Sequence, residues 1–77
     1  MPTIDFELAP GLPFIEVNHL LKVTGVCDSG GAGKILVAEG LVSVDGVLET
    51  RKTAKIRAGQ TVTCGDVRIV VSQAPEA

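Results

Sequence analysis

Between Ser29 and Gly59 the chain sets a glycine-opened helix, a tight hairpin and a basic loop in immediate succession, and that order leaves few folds open. The helix reads Ser29-Gly30-Gly31-Ala32-Gly33-Lys34-Ile35-Leu36-Val37-Ala38-Glu39-Gly40. Asp28 or Ser29 can cap its start, and Gly40 is placed to end it. Ala32, Ile35, Leu36 and Glu39 would share one face. Each glycine inside a helix costs roughly 1 kcal/mol relative to alanine. Gly30, Gly31 and Gly33 must therefore be offset, by close packing against another helix or by a need for bare backbone. Asp45-Gly46 between Leu41–Val44 and Val47–Glu49 is a strong type I′ hairpin signal.

The flanks supply the partners. Ile4, Phe6 and Leu8 alternate with polar residues, which predicts a short strand, and Ala9-Pro10-Gly11-Leu12-Pro13 predicts a turn. From Phe14 the period becomes helical. Val17, Leu20, Leu21 and Thr24 follow i, i+3, i+4, i+7, with Gly25 as the stop. Leu20 and Ile35 are expected to pack the two helices together, and His19 to face water. After the hairpin, Lys55-Ile56 and Thr61–Cys64 flank Gly59-Gln60, and Gly65-Asp66 turns into Val67–Val71. The reading is α+β: two packed helices followed by a small, mostly antiparallel β-sheet. Residues 1–13 form an N-terminal strand and turn, 14–71 the domain proper, and 72–77 a frayed tail.

Several function classes drop out. Gly33-Lys34 suggests a phosphate loop, but that pattern needs glycine where Asp28 stands and Ser or Thr where Ile35 stands. The dinucleotide fingerprint fails at Leu36. His19 has no nucleophile at a recognisable spacing, so no catalysis and no cofactor are expected. Cys27, Cys64 and His19 lack metal-ligand spacing, so no metal is expected, and both thiols read as reduced. The chain has no run of the roughly 18 apolar residues that a membrane span needs and no signal-peptide pattern. A cytoplasmic monomer is the expectation.

What remains is charge. The formal net charge is −2, yet four of the seven basic residues fall between Arg51 and Arg57. Bare amides at a helix start can hold an anion, and a cluster of Arg and Lys can do the same with side chains. Together they point to phosphate, and to an RNA backbone. Phe6 and Phe14 are the only aromatics, too few for a base-stacking platform.

On these residues the chain resembles the ribosomal S-four-type RNA-binding domain, the αL motif, and in particular its small stand-alone bacterial members. The resemblance runs from about Phe14 to Val71. It rests on Ile15-Glu16-Val17 with Leu20-Leu21-Lys22, on Ser29-Gly30-Gly31 with Lys34-Ile35-Leu36, and on Glu39-Gly40-Leu41-Val42. It continues through Val44-Asp45-Gly46 and Glu49-Thr50-Arg51-Lys52 to Lys55 and Gly59. It implies RNA bound along the second helix and the adjoining loop, with Ser29, Gly30, Gly31, Lys34, Arg51, Lys52 and Lys55 in contact. Arg57 is added by its place beside Lys55. The chain departs from the family pattern in three places. Gly33 stands for alanine, Thr53-Ala54 replaces a glycine and a basic residue, and Gln60 replaces an aspartate at a structural turn. The expected function is non-catalytic binding of structured RNA through backbone phosphates. Ribosomal and transfer RNA are candidate ligands, and the ribosome or RNA-processing proteins candidate partners. The rival reading is an interaction or ribosome-assembly module that docks an acidic protein surface. A third is a small-anion site on the second helix alone.

Overall fold

The alternation at the N-terminus does make a strand, and that strand completes the main sheet. A computed structural model describes residues 2–75. The elements are β1 (Thr3–Leu8), β2 (Ile15–Glu16), α1 (Val17–Val23), α2 (Gly30–Ala38), β3 (Val42–Val44), β4 (Val47–Leu48), β5 (Lys55–Ile56), β6 (Thr61–Cys64) and β7 (Val67–Gln73). A five-stranded sheet has the order β1-β7-β6-β3-β4, and β2 pairs with β5 in a separate ribbon. The class is α+β, but the expected order of helices followed by sheet is corrected. The chain enters through β1, which runs parallel to β7 from Thr3 opposite Arg68 to Leu8 opposite Gln73. Parallel neighbours need a long crossover, and here both helices and five strands supply it. A hydrophobic alternation marks a strand without naming its partner.

Residues 15 and 16 are also corrected. The helix does not begin near Phe14; Ile15 and Glu16 pair antiparallel with Ile56 and Lys55, and α1 starts at Val17. That pairing takes β5 away from β6, so Gly59-Gln60 does not close a hairpin between them. β6 lies between β3 and β7 instead. At the other end, β7 runs through Ser72 and Gln73, which the sequence reading assigns to the tail. Gln73 Nε2 donates to the Ala9 carbonyl at 2.8 Å, and the Ala74 N–H donates to Leu8 O at 2.8 Å. Residues 76 and 77 of that tail lie outside the described residues.

Local signals fare better. Both helices end in a Schellman arrangement. Gly25 (φ +82°) and Gly40 (φ +75°) occupy the left-handed position. Their amides donate to Lys22 O and Val37 O, and the next residues donate to Leu21 O and Leu36 O. Ser29 caps α2, its Oγ accepting from the Ala32 N–H at 3.0 Å. Asp45 (φ 51°) and Gly46 (φ 82°) are both left-handed, as a type I′ turn requires.

Leu8, Leu20, Leu21, Ile56, Ile69 and Val71 lead the core, each at most 1% exposed. Cys64 is buried and Cys27 half-buried, both as free thiols. Desolvation, then proximity to Cys27, pushes the Cys64 thiol pKa up. The helix pair departs from expectation. Leu20 is buried, but Ile35 is 60% exposed, and α2 buries Gly33 and Val37 instead. A Cβ at Gly33 would stand 2.6 Å from the Asn18 carbonyl oxygen and 2.9 Å from Asn18 Cα. The missing side chain lets α2 lie against the α1 backbone. Periodicity could not show this, because glycine registers as no contact at all. The cost of the helical glycines offers close packing as one of two explanations, and at Gly33 it is the one found.

Candidate nucleic-acid interface

Two groups of residues expected to meet an anion are held by different devices. On α2, the Ser29 Oγ is an acceptor for Ala32 N–H and keeps its own hydrogen free to donate. The Gly33 N–H donates to Ser29 O. In a first turn the leading amides lack intrahelical acceptors, and Gly30 and Gly31 are the two that the cap leaves. Gly31 is exposed and Gly30 half-buried over Asn18. Asn18 Nδ2 reaches Gly30 O at 3.5 Å, and Asn18 Oδ1 is buried without a partner. Lys34 is exposed and stands one turn further on, at i+4 from Gly30 and i+3 from Gly31.

The basic loop after β4 is fastened at both ends. Glu49 is buried, and its N–H donates to Val42 O. Its Oε2 accepts from Thr50 N–H and Arg51 N–H, both at 2.9 Å, and from Arg51 Nε at 3.2 Å. Its Oε1 accepts from Arg51 Nη2 at 3.3 Å. At the far end Ala54 is buried, its carbonyl accepting from Val17 N–H at 2.8 Å. Ile56 then enters the core. Arg51, Lys52 and Thr53 project to solvent between these anchors.

The Arg51 guanidinium is 76% exposed but part-committed to Glu49. It carries less free charge than the sequence suggests. Lys55 Nζ lies 5.0 Å from the centroid of the Phe14 ring and Arg57 Cζ 5.9 Å from it, within cation–π range. Gln60 keeps the next turn closed. Its Oε1 accepts from Arg57 N–H at 2.7 Å, and its N–H donates to Arg57 O.

Arg51, Thr53, Ala54, Lys55 and Arg57 surround one open cavity of about 550 Å³. Three of the expected residues thus share an opening, and Lys52 lies on the same loop. Ser29, Gly30, Gly31 and Lys34 form their own cluster on α2 and do not line that cavity. Sequence reasoning missed Phe14, which orients two cations from some forty residues away. It also missed Glu49 as the clamp, although a lone acid directly before a basic run was the available signal. Among the described residues, no three His, Cys, Asp or Glu side chains gather to hold a metal. No helix among them is long and apolar enough to cross a membrane.

The clamp has a pH signature. The side-chain hydrogen bond from Arg51, then its backbone N–H, holds the Glu49 carboxyl below its ordinary 4.5, against the opposing effect of burial. A folded-state pKa below the unfolded one stabilises the fold above the unfolded value, and that stability is lost as pH falls through the folded pKa. Glu49→Gln is expected to lower stability at neutral pH by about 1.5–3 kcal/mol, the worth of hydrogen bonds to a charged group. Wild type and variant should converge as pH falls below 4.5. Denaturant melts from neutral to acid pH check this, and a gap that stays constant would contradict the clamp.

Comparison with known proteins follows the same outline. A family model described as "S4 domain" matches residues 8–72. YbcJ of Escherichia coli K12 is 55% identical over 51 residues, covering 66% of this chain and 73% of that protein. YbcJ of Shigella flexneri matches to the same extent. The solution structure of E. coli YbcJ aligns with a TM-score of 0.63 at 48% identity, over 86% of this chain and 85% of that one. That structure is described as revealing an αL motif involved in RNA binding.

Proposed function

This chain belongs to the S4 domain family, and we propose that it binds structured RNA, without chemistry, by its backbone phosphates. One observation carries the reading. A chain of net charge −2 gathers Arg51, Lys55 and Arg57 around a single open cavity with Lys52 beside it. A polyanion meets repulsion over most of such a surface and attraction here. The loop is set before any ligand arrives, because Glu49 and Ala54 fix its ends. The description of the YbcJ structure as an RNA-binding αL motif supports the same assignment.

On α2 the Ser29 hydroxyl and the Gly30 and Gly31 amides supply neutral donors, and Lys34 adds charge one turn on. Contacts of this kind position a phosphate backbone and carry no base information. Phe14 is engaged with Lys55 and Arg57 and Phe6 packs against the core, so neither aromatic stands free to stack a base. Recognition then follows RNA shape more than sequence, and ribosomal and transfer RNA are the candidate ligands.

Competition tests this. A labelled RNA hairpin bound to the protein should be displaced by unlabelled folded RNA at far lower charge concentration than by heparin. Displacement by heparin at equal charge would contradict RNA recognition. It would favour a module that docks an acidic protein surface with the same loop.

A further inference from the structure

A second groove, of about 650 Å³, opens between the end of β1 and the segment that leads into α1. Its walls are apolar, built from Phe6, Leu12, Phe14 and Ile15, and its polar lining is Glu7, Glu16 and one histidine, His19. Leu12 is half exposed, an uncovered leucine beside two uncovered carboxylates. Neither carboxylate has an ion-pair partner among the described residues, where Glu49–Arg51 is the one ion pair. Glu16 sits opposite Lys55 in the β2–β5 register, yet Lys55 turns to the Phe14 ring instead. No lysine or arginine lines the groove. β1 forms one edge of the main sheet, with β7 on one side and, among the described residues, no strand on the other.

We infer that this groove receives an extended, cationic segment of a partner protein, with a large apolar side chain between Phe6, Leu12 and Ile15 and flanking Lys or Arg at Glu7 and Glu16. Charge decides the occupant. A phosphate backbone is repelled by the unpaired rim. A second copy of this chain would bring Asp5 and Glu7 of one β1 edge against the same residues of the other, and like charges across paired strands destabilise. A cationic strand meets complementary charge on the rim, free backbone along β1 for strand addition, and an apolar slot for its anchor. Phe14 lines this groove, and its ring lies against Lys55 and Arg57 of the basic cavity. The molecule therefore offers an RNA phosphate and a basic protein segment adjoining sites, in keeping with a role where RNA and basic proteins meet.

The test is an NMR titration of the isotope-labelled full chain with the peptide Ser-Lys-Leu-Lys-Phe-Lys-Leu-Lys-Ser. Shifts are expected at Phe6, Leu12 and Ile15, saturating with a dissociation constant on the order of 10–100 μM, as suits a small interface. Glu7→Gln with Glu16→Gln should weaken the peptide about threefold to tenfold, as the loss of two exposed charge pairs does. RNA hairpin affinity should not fall in that variant, because the change removes negative charge beside Lys55. Four results would each overturn the proposal. These are no saturable shift at these residues, equal binding of the peptide with Glu for every Lys, equal binding with Ser for Leu and Phe, and loss of the same peaks on simple concentration of the protein. The last would assign the groove to a second copy.

Discussion

Gly33→Ala is expected to lower stability by about 1–3 kcal/mol, the range for a methyl group forced into a filled site. Gly31→Ala, two positions earlier in the same helix, is expected to raise it by up to about 1 kcal/mol through helix propensity. Only space distinguishes the two. A Cβ on Gly33 lands 2.6 Å from the Asn18 carbonyl oxygen, whereas one on Gly31 meets nothing nearer than Ser29 Oγ at 3.8 Å. The obstacle at Gly33 is backbone, which cannot swing aside as a side chain would, so α1 and α2 must part. Paired urea melts measure both signs. Two variants shifting in the same direction would contradict the close helix contact. The Gly31 variant also reports on function. If its bare backbone admits a phosphate, RNA affinity should fall while stability rises, a combination that poorer packing would not produce.

The contrast between these glycines shows where sequence reasoning reaches. Features decided within four or five residues were legible. The Ser29 cap, the Gly25 and Gly40 stops and the Asp45-Gly46 turn all follow from local backbone chemistry, and the structure has them in place. Features decided by a distant partner were not. Lys55-Ile56 has strand character, but nothing near it says that Ile15-Glu16 will claim it before β6 can. Ile4, Phe6 and Leu8 announce a strand without showing that it closes the sheet beside β7. The α2 face was misread because apolar residues were counted, while the contact is made by an absence at Gly33. The candidate site divides the same way. Its charges could be read one by one, since a basic run in an acidic chain is visible by inspection. Their arrangement could not. That Glu49 ties down Arg51, and that Phe14 gathers Lys55 and Arg57, depends on contacts that no spacing rule encodes.

Those contacts also choose the variant that probes the RNA site. Arg51→Glu would set a second carboxylate against buried Glu49 and disturb the loop as well as the charge. Neither Lys52 nor Lys55 has an ion-pair partner among the described residues, and Lys55 Nζ lies over the Phe14 ring. Lys52→Glu with Lys55→Gln, which avoids a second carboxylate opposite Glu16, should therefore change folding by no more than about 1 kcal/mol, the worth of an exposed cation–π contact. Arg68→Glu, on β7 and away from the loop in sequence, serves as the control.

The deciding measurement is a salt titration of binding to a folded RNA hairpin by wild type and both variants. With on the order of three to four phosphates neutralised, the wild-type slope of log affinity against log salt should lie near −2 to −4. The double variant should bind about a hundredfold more weakly, and its slope should be shallower by about 2, one for each phosphate no longer neutralised. Arg68→Glu should leave the slope close to that of wild type. A double variant that binds as tightly as wild type, with the same salt slope, would contradict an RNA site at this loop.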